Sequence, residues 1–143
     1  MSDAAGLIML AGRLLFGGFF VGVAGRAHIQ QSSMMEGFAK STGFPAAGIA
    51  GWPTGVWLEI GGLSVALGIW PDIGALMIGL FAAVAASYFH RYWAIEDEMQ
   101  KMTQQQLFGR NMVIIASSLF MFATFAALGE GLRYAITSAL FDF

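Results

Sequence analysis

Two charged side chains interrupt long apolar runs of the sequence, where they could bind a ligand or carry protons. Arg13 lies in the first run and Glu59 in the second. If these runs cross a membrane, each charge costs about 2.5–3.5 kcal/mol at a helix centre, so such residues usually pair inside a bundle. Counted from the same side, their depths differ by only roughly 6 Å at a rise of 1.5 Å per residue. We therefore expect a buried Arg13–Glu59 pair.

Two further polar residues lie where they could join this pair. His90 closes the third apolar run and Asn111 opens the fourth. Glu59 and His90 each lie on a helical stripe of small residues, and such stripes face other helices rather than lipid. The predicted site is therefore a buried polar cluster of Arg13, Glu59, His90 and Asn111. It could fix the register of the helices, or it could form a ligand or proton site, and the sequence leaves both readings open.

Other kinds of site have little support in the sequence. The chain has no cysteine, which excludes disulfides and thiolate metal ligands. It has only two histidines, and we predict no metal site and no intrinsic cofactor. One of them, His28, is interpreted as a lone loop histidine without a ligand role. No basic cluster is present, so nucleic acid is not an expected partner.

The elements that must position these residues are predicted to be membrane helices. Hydrophobic residues make up 57% of the 143 residues and charged residues only 11%, whereas soluble domains carry about 25% charged residues. A span needs about 20 mostly apolar residues. Four runs meet this length or come close to it: 4–25, 51–70, 73–90 and 110–129. We predict an all-α integral membrane four-helix bundle with antiparallel neighbouring helices, formed by one domain over residues 1–143.

The connections between the runs predict which end of the bundle each segment occupies. Pro71 and Asp72 form a tight turn, which we expect on the same side as both termini. The long connections 26–50 and 91–109 then lie on the other side. We expect a short helix near residues 34–39 in the first of them. The second should contain an amphipathic helix within residues 92–106, whose apolar stripe covers the mouth of the bundle or a neighbour.

The distribution of positive residues predicts which side of the bundle faces the cytoplasm. The long connections and their edges hold most of the positive residues, namely Arg26, Lys40, Arg91, Lys101 and Arg110, whereas the other side has only Arg133. The positive-inside rule places the long connections in the cytoplasm, and we expect a bacterial inner membrane. The tail, 131–143, ends in apolar residues and could lie in the interface or contact a partner.

Several short motifs, in this order and spacing, resemble the DoxX family of small four-helix membrane proteins. The resemblance covers about residues 12–127. The motifs that carry it are Gly12-Arg13-Leu14-Leu15, Phe38-Ala39-x-x-x-Gly43-x-Pro45, Leu58-Glu59-Ile60-Gly61-Gly62-Leu63, the histidine that closes the third helix, and Gly109-Arg110-Asn111. It implies a four-helix bundle and the same four polar positions.

What the resemblance implies about activity is less specific. Members of the family include a subunit of a thiosulfate:quinone oxidoreductase and a component of an oxidative-stress complex. Our first hypothesis is an accessory subunit of a larger, redox-linked membrane complex, not catalytic on its own, with lipid and other membrane subunits as partners. The alternative is a membrane subunit that binds a quinone or another small molecule through the polar cluster.

Overall fold

The structure is a computed structural model and describes residues 1–142. Within this range every element of regular secondary structure is helical, and the α-helices are α1 (Asp3–Phe19), α2 (Arg26–Gln30), α3 (Ser32–Ser41), α4 (Trp52–Leu67), α5 (Pro71–Phe89) and α6 (Glu98–Leu128). A stretch of π-helix, Phe20–Gly25, joins α1 to α2 without a break. The first helix therefore continues beyond the predicted end of its span at residue 25.

Among residues 1–142, three helical segments are long and apolar enough to cross a membrane: Asp3–Gln30, Pro71–Ala94 and Glu98–Gly131. The predicted second span, 51–70, forms only α4, which has 16 residues. At 1.5 Å per residue α4 is about 24 Å long, which is shorter than the hydrocarbon core of about 30 Å. It ends early because Gly68 adopts a left-handed conformation with φ of 67°. The all-α class is thus confirmed, with three candidate membrane-spanning helices.

α4 packs against α1 through glycines that bring the two backbones together. A Cβ atom added to Gly25 would lie 2.9 Å from the carbonyl oxygen of Gly55, and one added to Gly62 would lie 2.7 Å from that of Gly17. Residue numbers rise along one helix as they fall along the other, so α1 and α4 are antiparallel. Close contact through small residues is typical of helices in lipid.

The remaining helices follow in chain order, with α5 packed on α4 and α6 packed on α5. Pro71 is the first residue of α5, where its fixed φ suits a helix start. The turn Gly68–Trp70 therefore closes an α4–α5 hairpin, as Pro71 and Asp72 predict. The largest buried apolar side chains are contributed by α4, α5, α6 and the π-helical stretch: Phe20, Leu58, Val65, Ile78 and Phe125.

On the side of the long connections, one expected helix is confirmed and the other differs. The predicted short helix near residues 34–39 is present as α3. The predicted amphipathic helix is not a separate element, because α6 runs without a break from Glu98, capped by Asp97, into the predicted span. Its methionines do not cover the bundle mouth: Met99 is 70% exposed and Met102 is 53% exposed. No helix-breaking sequence separates the two parts, so the helix that contains the predicted fourth span begins at Glu98, before residue 110.

The glycine contacts predict opposite effects for two neighbouring substitutions. Gly17→Ala places a methyl group 2.9 Å from the backbone nitrogen of Ala66, whereas Gly18→Ala has no atom within 4 Å. Gly17→Ala should lower the free energy of unfolding by about 1–3 kcal/mol, as overpacking does. Gly18→Ala should raise it by up to about 1 kcal/mol, because alanine favours a helix more than glycine does. Unfolding in mixed detergent micelles measures both, and equal effects would contradict the α1–α4 contact.

Candidate functional site

An open cavity of about 570 Å³ lies on the side of the long connections. Its walls come from α2, α3, the segment that follows α3, α4 and α5. Most of the lining side chains are aromatic or aliphatic: Met35, Phe38, Phe44, Ile49, Trp57, Leu80, Phe81, Val84 and Phe89. Both histidines of the chain, His28 and His90, also line it. Two polar rings in a mostly apolar cavity form the best candidate for a ligand site.

His28 is held by its own helix and by α5. Its Nδ1 lies 2.9 Å from the carbonyl oxygen of Ala24, one turn earlier. Its ring meets Phe81 edge to face, with the ring centroids 5.6 Å apart. The sequence interpretation gave His28 no role because it placed the residue in a loop. A signal was present: no glycine or proline interrupts the sequence between Gly25 and Gln30, so the first helix can continue through His28.

His90 is held by α6. It follows the last residue of α5, and its Nδ1 lies 2.8 Å from Oε1 of Gln104. This contact ties the end of α5 to the part of α6 that precedes the predicted span. In both histidines Nδ1 is thus engaged, and Nε2 has no hydrogen-bond partner within residues 1–142.

The segment after α2 closes one side of the cavity, and both hydrogen bonds and ring contacts attach it to the bundle. The Ser32 hydroxyl accepts a hydrogen bond from the backbone nitrogen of Trp52 at 2.9 Å. Arg91 donates to the carbonyl oxygen of Thr42 at 2.9 Å. Ring contacts complete the attachment: Phe38 contacts Phe89, and Phe44 contacts both Tyr88 and Phe89. The long first connection is therefore an ordered wall of the cavity.

The structure does not bring the four predicted site residues together. Arg13 is buried, but its guanidinium donates to backbone carbonyl oxygens: Val65 at 3.1 Å, Ala66 at 3.3 Å, Arg133 at 3.3 Å and Tyr134 at 2.6 Å. The predicted Arg13–Glu59 bond is therefore wrong. Asn111 donates to Leu107 of its own helix at 2.9 Å. Glu59 is half-buried and packs against Gly25, with no hydrogen bond to the other three in the described chain.

Side-chain direction explains why Arg13 and Glu59 do not meet. In an α-helix the side chain leans toward the N-terminus of its own helix. Since α1 and α4 are antiparallel, Arg13 leans toward the termini and Glu59 leans toward the long connections. The depth comparison used backbone positions alone and missed this divergence. Arg13 instead reaches the C-terminal end of α4, where the helix dipole favours a positive charge.

The C-terminal tail, residues 132–142, folds back on the same end of the bundle. Asp72 is fully buried, and its Oδ2 accepts hydrogen bonds from the backbone nitrogens of Leu140 at 2.9 Å and Phe141 at 2.8 Å. Between these contacts and Arg13, the Thr137 nitrogen donates to the Gly68 carbonyl oxygen at 2.9 Å. Arg13 and Asp72 thus hold the two ends of the tail. The interpretation of the sequence gave Asp72 only the role of a turn residue.

The tail contacts predict that Asp72→Ala releases the tail from the bundle. Hydrogen bonds to a charged group contribute about 1.5–3 kcal/mol each, so chymotrypsin should cleave the tail at least about tenfold faster, as measured by mass spectrometry of the intact chain. Asp3→Ala is the matched control, because Asp3 and its ion-pair partner Arg133 are both exposed. Exposed pairs contribute little. Equal cleavage of the two variants would contradict the role of Asp72.

One of three comparisons with known proteins agrees with the family resemblance that the sequence motifs indicate. Searches among curated proteins and among solved structures found no match. The sequence model of the DoxX family matches residues 8–91, which include both histidines, Arg13, Glu59 and Asp72. The match ends before α6, so Asn111 and the tail lie outside it. Since more than half of the chain is matched and three helices are suited to crossing a membrane, the chain is an integral membrane protein that belongs to the DoxX family.

Proposed function

We propose that this protein is a membrane subunit that binds a lipophilic small molecule of the quinone class and serves a larger redox-linked complex. The observation that carries the proposal is the cavity of about 570 Å³ with apolar walls and two histidines. Small-molecule sites typically measure about 300–1,000 Å³ and combine apolar walls with a few polar groups. A quinone has matching parts: a flat ring, polar oxygens and an apolar chain.

The walls of the cavity favour a ligand that arrives from the lipid. Trp57 of α4 and Leu80 of α5 line the cavity and are also 40% and 58% exposed. Both belong to apolar parts of the bundle, where an exposed surface faces lipid. A molecule dissolved in the bilayer can therefore reach the histidines laterally, without crossing water.

The accessory role follows from what surrounds this site. The sequence has no cysteine, so a thiolate-bound electron carrier would have to come from another chain. The first turns of α6 extend on the side of the cavity and expose Met99 and Met102. A mixed apolar and polar helix at the mouth of the cavity is suited to contact a partner subunit. In this proposal the protein holds the lipophile and a partner performs electron transfer.

The proposal includes a four-span topology. α4 is short, but it lies antiparallel to α1 and to α5, and both neighbours are long enough to span. A helix between two spanning helices cannot leave the bilayer without losing its glycine contacts. Local thinning of the bilayer accommodates a short helix at a modest cost. The positive-inside rule then places the cavity on the cytoplasmic side of a bacterial inner membrane.

Quenching of tryptophan fluorescence tests the proposal, because Trp57 lines the cavity and its indole donates to the carbonyl oxygen of Met77 at 2.9 Å. Titration of the purified protein with a short-chain naphthoquinone should quench fluorescence in a saturable manner, with an apparent Kd in the micromolar range (about 8 kcal/mol). Trp57→Phe should remove most of the saturable part. Trp70→Phe, at the opposite end of the bundle, is the control and should retain it. Quenching that never saturates would contradict the proposal.

A further inference from the structure

The contact between α1 and α4 has two sides, and only one of them faces the core. On the core side, the first helix contributes Phe16, Phe20 and Ala24 to the apolar cluster or to its surroundings. On the outer side, the same helix has a row of exposed residues at intervals of four: Leu14, Gly18, Gly22 and Arg26. A Cβ atom added to either glycine of this row would meet no atom within 4 Å. The outer side is therefore open to close approach by another helix.

Glu59 of α4 lies at the edge of this outer side, at the level of Gly25. A Cβ atom added to Gly25 would lie 2.7 Å from Cγ of Glu59. The residues one turn away from Glu59 on α4, Val56 and Leu63, are exposed, whereas Leu58 on the core side is fully buried. Within residues 1–142, Glu59 has no hydrogen bond and no ion pair. Its carboxylate thus lies beside the lipid-facing surface without a partner.

Arg26 has the complementary charge at the same level, since it directly follows Gly25. In antiparallel helices the two side chains lean toward one another in depth, because each leans toward the N-terminus of its own helix. They do not meet within one chain. The row of Arg26 is turned by about 100° from the row of Gly17 and Val21 that packs on α4. Arg26 also has no hydrogen bond or ion pair within the described residues.

We propose that two copies of this chain associate through this outer side, with each Arg26 bonded to Glu59 of the partner subunit. The α1 helices of the two copies lie parallel and touch at Gly18 and Gly22. Small residues four apart are the pattern through which membrane helices often dimerise. A two-fold axis along the membrane normal brings the same surface of both copies together, so each contact between unlike charges is made twice.

A second copy satisfies this surface where lipid does not. Lipid tails offer neither a donor to Glu59 nor an acceptor to Arg26. A second copy offers both groups at the same depth, because its α1 and α4 lie at the same levels. The proposal is independent of the ligand site, since neither these two charges nor Gly18 and Gly22 line the cavity.

Energy transfer between labelled copies in lipid vesicles tests the proposal on the full-length chain. The chain has no cysteine, so Ser33→Cys at an exposed position carries one donor or acceptor dye per copy. Transfer should saturate at the level of two copies as the protein-to-lipid ratio rises. Gly18→Leu and Gly22→Leu should each weaken association at least about tenfold, because a large side chain keeps the α1 helices apart. Gly12→Leu is the matched control, because Gly12 is equally open but lines a groove toward α6, and this variant should associate normally.

Charge reversals test whether Arg26 and Glu59 of different copies meet. Arg26→Glu and Glu59→Lys should each weaken self-association at least about tenfold, because both contacts then join like charges. A mixture of the two variants, one with the donor dye and the other with the acceptor dye, should regain transfer, because both contacts then join unlike charges. Arg26→Gln and Glu59→Gln should weaken association less than the reversals do. Circular dichroism and thermal melting confirm that each variant is folded.

Three results would overturn the proposal. The first is transfer no greater than random proximity in the vesicle produces, which would leave this side to lipid or to another subunit. The second is an equal effect of Gly12→Leu and Gly18→Leu. The third is a mixture of folded reversal variants that does not associate. If Glu59→Lys does not fold, the neutral variants decide, and unchanged association in both Arg26→Gln and Glu59→Gln would overturn the proposal.

Discussion

The guanidinium of Arg13 must find all of its acceptors inside the protein, because lipid supplies none. It finds them in the last carbonyl oxygens of α4 and in the first residues of the tail. One side chain thereby joins three segments that are distant in sequence. This contact sets the register between α1 and α4, whose glycines then approach closely, and it starts the return path of the tail that Asp72 completes.

The position of Arg13 determines how the two ends of the bundle differ. At the end with the termini, the last turn of α4 and the tail supply acceptors to Arg13, and the tail donates to Oδ2 of Asp72, so the helices and the tail are tied together. At the other end, Arg91 attaches the first connection to the bundle through the carbonyl oxygen of Thr42. The first connection and α5 enclose an apolar cavity there, with both histidines in its wall. Arg13 and Asp72 thus bond to the protein itself, whereas Nε2 of both histidines at the other end has no hydrogen-bond partner within residues 1–142.

Composition and periodicity were sufficient for the helical class, the α4–α5 hairpin and α3, since each depends on local sequence. The site required information that spacing does not contain. Depth along a helix predicted a bond from Arg13 to Glu59, but the direction of side chains in antiparallel helices separates them. His28 was missed because the end of an apolar run was taken as the end of the helix. Asp72 was missed because its partners are backbone nitrogens of a tail without regular structure.

Nitrogen-15 NMR of the histidine rings tests the central claim most directly, since the chain has only two histidines. In lipid nanodiscs at a pH where both rings are neutral, the account predicts that Nδ1 is protonated and Nε2 is not, in His28 and in His90 alike. Addition of the short-chain naphthoquinone should then shift the signals of both rings, because both histidines line the cavity that binds it. Protonated Nε2 atoms, or histidine signals that do not move at saturating naphthoquinone, would contradict the account.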